Sequence, residues 1–241
     1  MSLKFEPGYQ LVFLASQANK SQINVLVEDT YWHKGMRRKL IEELRSQGIR
    51  DEKVLKAMGM LPRHFFLDKA FEEKAYENKA FPIGNEQTIS QPYTVAYQTA
   101  LLEVKKRQRI LEIGTGSGYQ AAILAMLGAR VYTVERQEVL FERAKGLLQQ
   151  LQVGNVRCFL RDGFKGLPEF APFDKILVTC GAKEVPQSLL QQLKVGGWLV
   201  IPVGKEVQRM QRITRAGEQQ FTRETFDDFR FVPFLRGINK Q

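Results

Sequence analysis

The chain has 241 residues, 44% of them hydrophobic and 26% charged, and a net charge of +10 at pH 7. This is the balance of a soluble globular protein with room for one large or two small domains. No apolar run approaches the roughly 18 residues of a membrane span, and two cysteines with no close pair, Cys158 and Cys180, exclude a disulfide scaffold or a thiolate metal site. Leu11–Ala15 is apolar but short and lacks the charged start and cleavage site of a secretory signal, so the cytoplasm is the expected compartment.

Residues 1–30 mix small polar and apolar residues and are expected to form an appendage with a short helix or strand against the body. Arg37–Gln47 repeats Leu40, Ile41 and Leu44 near the helical period, with Gly48 as a stop. Asp51–Met58 restarts a helix with Val54, Leu55 and Met58 on one stripe, and Pro62 interrupts it. His64–Leu67 is expected as a compact turn or short strand, and Phe65–Tyr76 as a short helix with an aromatic stripe. His33 and His64 stand isolated in the sequence and are read as structural, so no metal site is expected. Phe81–Ser90 is polar and glycine-containing and is expected to be irregular. It delivers Thr88, Ser90 and Gln91 to a helix that Pro92 opens and that runs through Leu102. The unpaired N–H groups of a helix start suit a carboxylate. Ser90 is placed either to contact such a ligand or to cap the helix, and the two roles are compatible.

From Arg109 the chain alternates strand and helix. Strands are predicted at Ile110–Ile113, Val131–Val134, Val156–Leu160, Phe173–Val178 and Trp198–Pro202, with helices at Tyr119–Leu127, Val139–Leu151 and Pro186–Leu193 between them. Two further strands are expected in Gln208–Thr214 and Phe221–Phe231. This order predicts an α/β fold with a doubly wound, mostly parallel sheet, which binds ligands outside the carboxyl ends of its strands. The candidate residues cluster at those ends. Gly114-Thr115-Gly116-Ser117-Gly118 follows the first strand and its acidic Glu112, and the glycines allow a tight turn and close backbone approach. Glu135 ends the second strand, where a carboxylate grips ribose hydroxyls. Asp162, beside Gly163, ends the third and would accept from an adenine amino group or form a turn. The third glycine comes one position earlier than in the dinucleotide fingerprint. That disfavours a pyrophosphate and suits S-adenosylmethionine, which has no phosphate to place on the helix N-terminus. The basic runs Lys34–Lys39 and Lys105–Arg109 could attract nucleic acid, but no nucleic-acid motif accompanies them, and a solvated surface is the plainer reading.

Several segments resemble the protein-L-isoaspartate O-methyltransferase family. They are Leu61-Pro-Arg-His-Phe65, Pro82-Ile-Gly84, Gln87-Thr-Ile-Ser-Gln-Pro92, the stretch from Leu111 to Ala122, Val134-Glu-Arg136, Ala171-Pro-Phe-Asp174, Leu193-Lys-Val-Gly-Gly197, Leu199–Gly204 and Phe231-Val-Pro-Phe234. The Gln-Thr-Ile-Ser segment is the most specific of these. The resemblance implies a Rossmann-like methyltransferase core over residues 105–241, with a helical lid and substrate-side segment over 31–104. It implies S-adenosyl-L-methionine as cofactor and the α-carboxylate of L-isoaspartyl residues in damaged proteins and peptides as acceptor. The ester would close to a succinimide and reopen as aspartate. Ser90 and Thr88 match the family's active-site pair. Glu112, Gly114, Thr115, Gly116, Ser117, Gly118 and Glu135 fall to the cofactor, with Asp162 and Gly163 on its adenine side. A monomer acting without obligate nucleic acid or membrane is expected. The alternative is a methyltransferase for another small molecule or a nucleic acid, which would share the glycine loop but would not need Gln87–Pro92. Two departures stand out: Asn85-Glu86 brings a negative charge near the substrate side, and Cys180 replaces an alanine.

Overall fold

A computed structural model describes residues 28–240, so the predicted appendage lies almost wholly outside the described residues. Helix α1 (Tyr31–Ser46) starts earlier than the apolar period suggests. The Thr30 hydroxyl accepts from the His33 N–H at 3.4 Å, and His33 Nδ1 accepts from the Thr30 N–H at 3.2 Å. This reciprocal cap usually uses glutamate or glutamine in the third position, so a histidine there is easily overlooked. Helix α2 (Glu52–Met60) is capped by Asp51, whose carboxylate accepts from Lys53 and Val54. Leu40, Leu44, Val54, Leu55 and Met58 are buried, as their spacing predicts.

Two 3-10 helices, Arg63–Phe66 and Lys69–Lys74, replace the turn or strand expected at 64–67 and the helix expected over 65–76. The second buries none of its residues, so no apolar face presses it into a longer α-helix. The expectation of irregular chain over 81–90 is also corrected. Strands β1 (Phe81–Gly84) and β2 (Gln87–Ile89) pair antiparallel as a hairpin. Asn85 and Glu86 form its two-residue turn with φ of 51° and 58°, the left-handed conformation that matches the twist of a tight hairpin. Glu86 is therefore exposed at the tip and lines neither of the clefts described below. Helix α3 (Pro92–Leu102) follows.

The remaining elements are β3 (Arg109–Ile113), α4 (Tyr119–Met126), β4 (Arg130–Glu135), α5 (Glu138–Gln150), β5 (Val156–Leu160), β6 (Phe173–Val178), α6 (Gln187–Gln191), β7 (Leu193–Gly204), β8 (Gln208–Arg215) and β9 (Phe221–Phe229). They build one sheet in the order β5-β4-β3-β6-β7-β8-β9. The strands from β5 to β7 are parallel, and β8 and β9 add antiparallel. The chain runs outward from β3 through β4 and β5 and returns to the other side of β3 with β6. That reversal opens the crevice at the carboxyl ends of β3 and β6. Strand β7 begins at Leu193, where a helix was expected to end, and α6 is correspondingly short. Leu193 pairs with Phe173 before a register shift, and a Cβ at Gly197 would lie 2.5 Å from the Asp174 carbonyl. The glycine pair thus lets an irregular strand start pass close to its neighbour. One apolar cluster runs from Leu40 in α1 through Val95 and Ile123 to Met210 in β8, so the helical segment and the sheet share a core.

Candidate active site

The glycine loop owes its shape to backbone angles that side chains resist. Gly114, Gly116 and Gly118 have φ of +99°, +52° and +87°. A Cβ on Gly114 would fall 2.5 Å from Thr179 Oγ1, whose hydroxyl donates to the carbonyls of Ile113 and Gly114 at 3.0 and 2.7 Å. The end of β6 is thereby laced to the end of β3. Gly114 and Thr115 donate their N–H groups to the Val134 carbonyl, and the buried Thr115 and Thr133 hydroxyls meet at 2.6 Å. Glu135 closes the loop from β4. One carboxylate oxygen accepts from the Gly116 N–H at 2.9 Å, and the other from the N–H groups of Arg136 and Gln137 at 2.8 and 2.9 Å. A carboxylate offers about four acceptor positions, so three are spent on the backbone. What remains suits one further hydroxyl more than the pair expected from sequence.

Gly114, Thr115, Gly116, Ser117, Glu135 and Gly163 line a cleft at the carboxyl ends of the strands. Glu112, Gly118 and Asp162 do not line it. Gly118 is where α4 packs against α5, with Leu148 Cδ1 3.3 Å from the place of its missing Cβ. Asp162 accepts from the Phe164 N–H at 3.0 Å, which fixes the turn that presents Gly163. A Cβ at Gly163 would meet Ile113 Cγ2 at 2.5 Å and Phe234 Cε2 at 3.0 Å, so only glycine lets this turn pack so closely against Ile113 and Phe234. Cys180 also lines this cleft, and burial holds its thiol well above its ordinary range.

Glu112 sits behind the loop, fully buried, with neither carboxylate oxygen hydrogen-bonded among the described residues. Burial pushes its carboxyl from 4.5 up to about 8. The folded state then keeps a proton that the unfolded chain releases, so this group makes stability fall as pH rises from about 4.5 to 8 and level off above. Replacing Glu112 by Gln should remove that slope. Thermal unfolding should show the variant gaining on the parent from pH 5 to pH 8, and a difference constant across that range would contradict this assignment.

A second cleft opens beside the first. Thr88, Ser90, Thr179 and Val232 line both, so the two clefts meet at the hairpin end. Ser90 does not cap α3, which corrects one of its two expected roles. The cap residue is Gln91, with no side-chain cap bond, and the Asn78 side-chain oxygen accepts from the Tyr93 N–H at 2.9 Å instead. Ser90 is held through its backbone, its carbonyl accepting from Arg63 at 3.0 Å.

Arg63 lines neither cleft but supports Ser90 from behind, a role that sequence reasoning passed over. Its side chain is fully buried, donates also to the carbonyls of Ala75 at 2.9 Å and Lys79 at 3.3 Å, and lies 5.2 Å from the Tyr119 ring centre. Phe234 enters the sequence reading only as the end of the resembling segment Phe231-Val-Pro-Phe234. The segment after β9 instead turns back, with Gly181 donating to the Val232 carbonyl and Phe234 donating to the Gly181 carbonyl, both at 2.8 Å. Phe234 then stacks on Phe164 at 4.0 Å and walls the first cleft.

The two histidines that look isolated in sequence stack face to face, with ring centres 3.9 Å apart. His33 bonds Glu72 and Thr30, His64 bonds the Tyr76 hydroxyl at 2.7 Å, and Arg37 bridges Tyr76 to Asp29. Burial pushes His64 down to about 4. This network fastens the start of α1 to the segment that carries Arg63.

A glycine cradle at the carboxyl end of a parallel sheet, an acidic residue closing it and no phosphate-type fingerprint define the class: a Rossmann-like methyltransferase fold. A solved structure titled as a putative protein-L-isoaspartate O-methyltransferase from Plasmodium falciparum, in complex with S-adenosyl-L-homocysteine, has this fold. The TM-score is 0.73 at 24% identity, covering 83% of this chain and 98% of that one. Another, titled protein-L-isoaspartate O-methyltransferase, aligns at a TM-score of 0.75 and 32% identity over 82% of this chain and 65% of that one. Residues 35–239 match the family described as protein-L-isoaspartate(D-aspartate) O-methyltransferase, and the chain belongs to that family. It is 54% identical to the protein-L-isoaspartate O-methyltransferase of Christiangramia forsetii and 55% identical to that of Flavobacterium johnsoniae, in each case over 88% of this chain and 100% of the relative.

Proposed function

We propose that the protein transfers a methyl group from S-adenosyl-L-methionine to the α-carboxylate of L-isoaspartyl residues in proteins and peptides, opening their repair through a succinimide. The observation that carries this is the meeting of the glycine-loop cleft and a second cleft at Thr88 and Ser90, in a chain of this family. The residues present fit the cofactor: Gly114 and Gly116 bring positive-φ backbone to the cleft wall without a side chain, and Glu135 keeps one acceptor position for a hydroxyl.

Bound there, the cofactor supplies an electrophilic methyl on a sulfonium. Glu135 and the loop would hold the ribose, and Gly163 beside Phe234 would bound the adenine, with Asp162 at that edge. An acceptor carboxylate is ionised at neutral pH, its ordinary pKa being near 4, so no general base is required. The protein's work is to align the carboxylate with the methyl and to exclude water. Ser90 would donate to one carboxylate oxygen and Thr88 would line the approach. Residues 31–104 would form the substrate side and residues 105–241 the cofactor core. No helix among the described residues is long and apolar enough to cross a membrane. The protein would act as a monomer on protein and peptide substrates in the cytoplasm, without nucleic acid.

Ser90→Ala tests the assignment. Turnover on an isoaspartyl peptide should fall at least about tenfold, or about 1.4 kcal/mol in barrier, with cofactor affinity near that of the parent. Because Ser90 does not cap α3, thermal stability should hardly move. Full turnover per folded molecule would pass the carboxylate-holding role to backbone N–H groups at the start of α3.

A further inference from the structure

We propose that Arg230 reads negative charge on the substrate peptide beside the isoaspartyl residue, and so sets which flanking sequences the enzyme favours. The proposal rests on the methyltransferase reading above. Two charged residues line the second cleft, Asp228 and Arg230. Asp228 is already held by Arg209 at 3.2 Å. Arg230 is exposed and has neither an ion pair nor a hydrogen bond among the described residues. Its backbone is fixed on both sides. Strand β9 ends at Phe229, and the Phe231 N–H donates to the Gln208 side-chain oxygen at 2.9 Å. A long guanidinium with no partner among the described residues thus stands on a fixed backbone at the wall of the cleft that Ser90 and Thr88 border.

Reaction chemistry decides what this cation touches. Carboxylate and sulfonium neutralise each other as the methyl moves, so charge is lost on the way to the transition state. A guanidinium paired to the reacting oxygens would stabilise the ground state more than the transition state and slow the step. Ser90, a neutral donor, suits the reacting group. A cation in the same cleft is better spent on a carboxylate that does not react, on a neighbouring acidic side chain of the peptide. Because Arg230 is exposed, its pairing should change binding only up to about fivefold and should be screened by salt over about 8–10 Å.

The test uses full-length protein and two isoaspartyl peptides that differ only in having Glu or Lys beside the isoaspartyl residue. Steady-state kinetics at low and high salt are compared for the parent, Arg230→Gln, Arg230→Lys and Arg230→Glu. The parent should favour the Glu peptide by about threefold or more at low salt, through KM rather than kcat, and salt should erode the preference. The ratio should collapse in Arg230→Gln, persist in Arg230→Lys and invert in Arg230→Glu. A parent without preference, or a preference that Arg230→Gln leaves intact, overturns the proposal. So does an equal loss of kcat on both peptides, which would put Arg230 on the reacting carboxylate or in the fold. Failure of the parent to methylate either peptide would instead overturn the methyltransferase reading.

Discussion

Replacing Arg63 by Met should cost about 2–4 kcal/mol of stability and most of the activity. Met matches the stem but donates nothing, so the carbonyls of Ala75 and Ser90 lose their donor. A buried polar group left unpaired costs about 1–3 kcal/mol. Part of that is offset, because the parent keeps a charge in a fully buried position. Burial lowers the Arg63 guanidinium to about 10, and one of its nitrogens has no hydrogen-bond partner among the described residues. The larger consequence is geometric. Arg63 ties the Ser90 carbonyl to the Ala75 turn and rests near Tyr119 at the start of α4. Without it, the chain that presents Ser90 loses its link to the segment carrying the stacked histidines. Urea unfolding and turnover per folded molecule, measured together, check both parts. A variant with unchanged midpoint and turnover would show that Arg63 merely fills space.

Glu135→Gln should weaken S-adenosyl-L-methionine binding by about 1–3 kcal/mol, the scale for a charged hydrogen-bond partner. The geometry sharpens this expectation. Both Glu135 oxygens accept from backbone N–H groups, one from Gly116 in the loop and one from Arg136 and Gln137 beyond it. A glutamine can turn its oxygen to one set only, and its amide N–H₂ then faces the other, donor against donor. The loop should loosen before any ligand arrives. The affinity loss should therefore be accompanied by a lower unfolding temperature without ligand. Calorimetric titration and thermal unfolding separate the outcomes. Weaker binding with unchanged stability would place Glu135 on the ribose alone, and an unchanged dissociation constant would remove it from the site.

Much of the core was legible because periodicity and glycine placement report backbone demands directly. The parallel strands, the loop Gly114–Gly118 and the strand-end acid Glu135 follow from local pattern, and the structure puts the loop and Glu135 at one crevice. What stayed hidden depends on partners distant in sequence. The Phe81–Ile89 hairpin turns on Asn85-Glu86, and glutamate is an unusual residue for a left-handed position. Arg63 reaches carbonyls far along the chain. His33 and His64 meet only once α1 has docked. Ser90 carried two readings in sequence. The cap role fell away because Asn78 supplies the acceptor for Tyr93, a contact that no spacing rule anticipates. Glu112 looks like part of the glycine motif, yet its side chain points into the buried interior behind the loop, as burial and its unpaired oxygens show.

The central claim is selective methylation of the isoaspartyl carboxylate. The most direct test incubates the protein with methyl-labelled S-adenosyl-L-methionine and two peptides of one sequence, one with L-isoaspartate and one with L-aspartate at the same position. The account predicts label on the isoaspartyl peptide alone, followed by release of labelled methanol as the ester closes to the succinimide. Equal labelling of both peptides, or labelling of neither while another small acid accepts the methyl group, would contradict it.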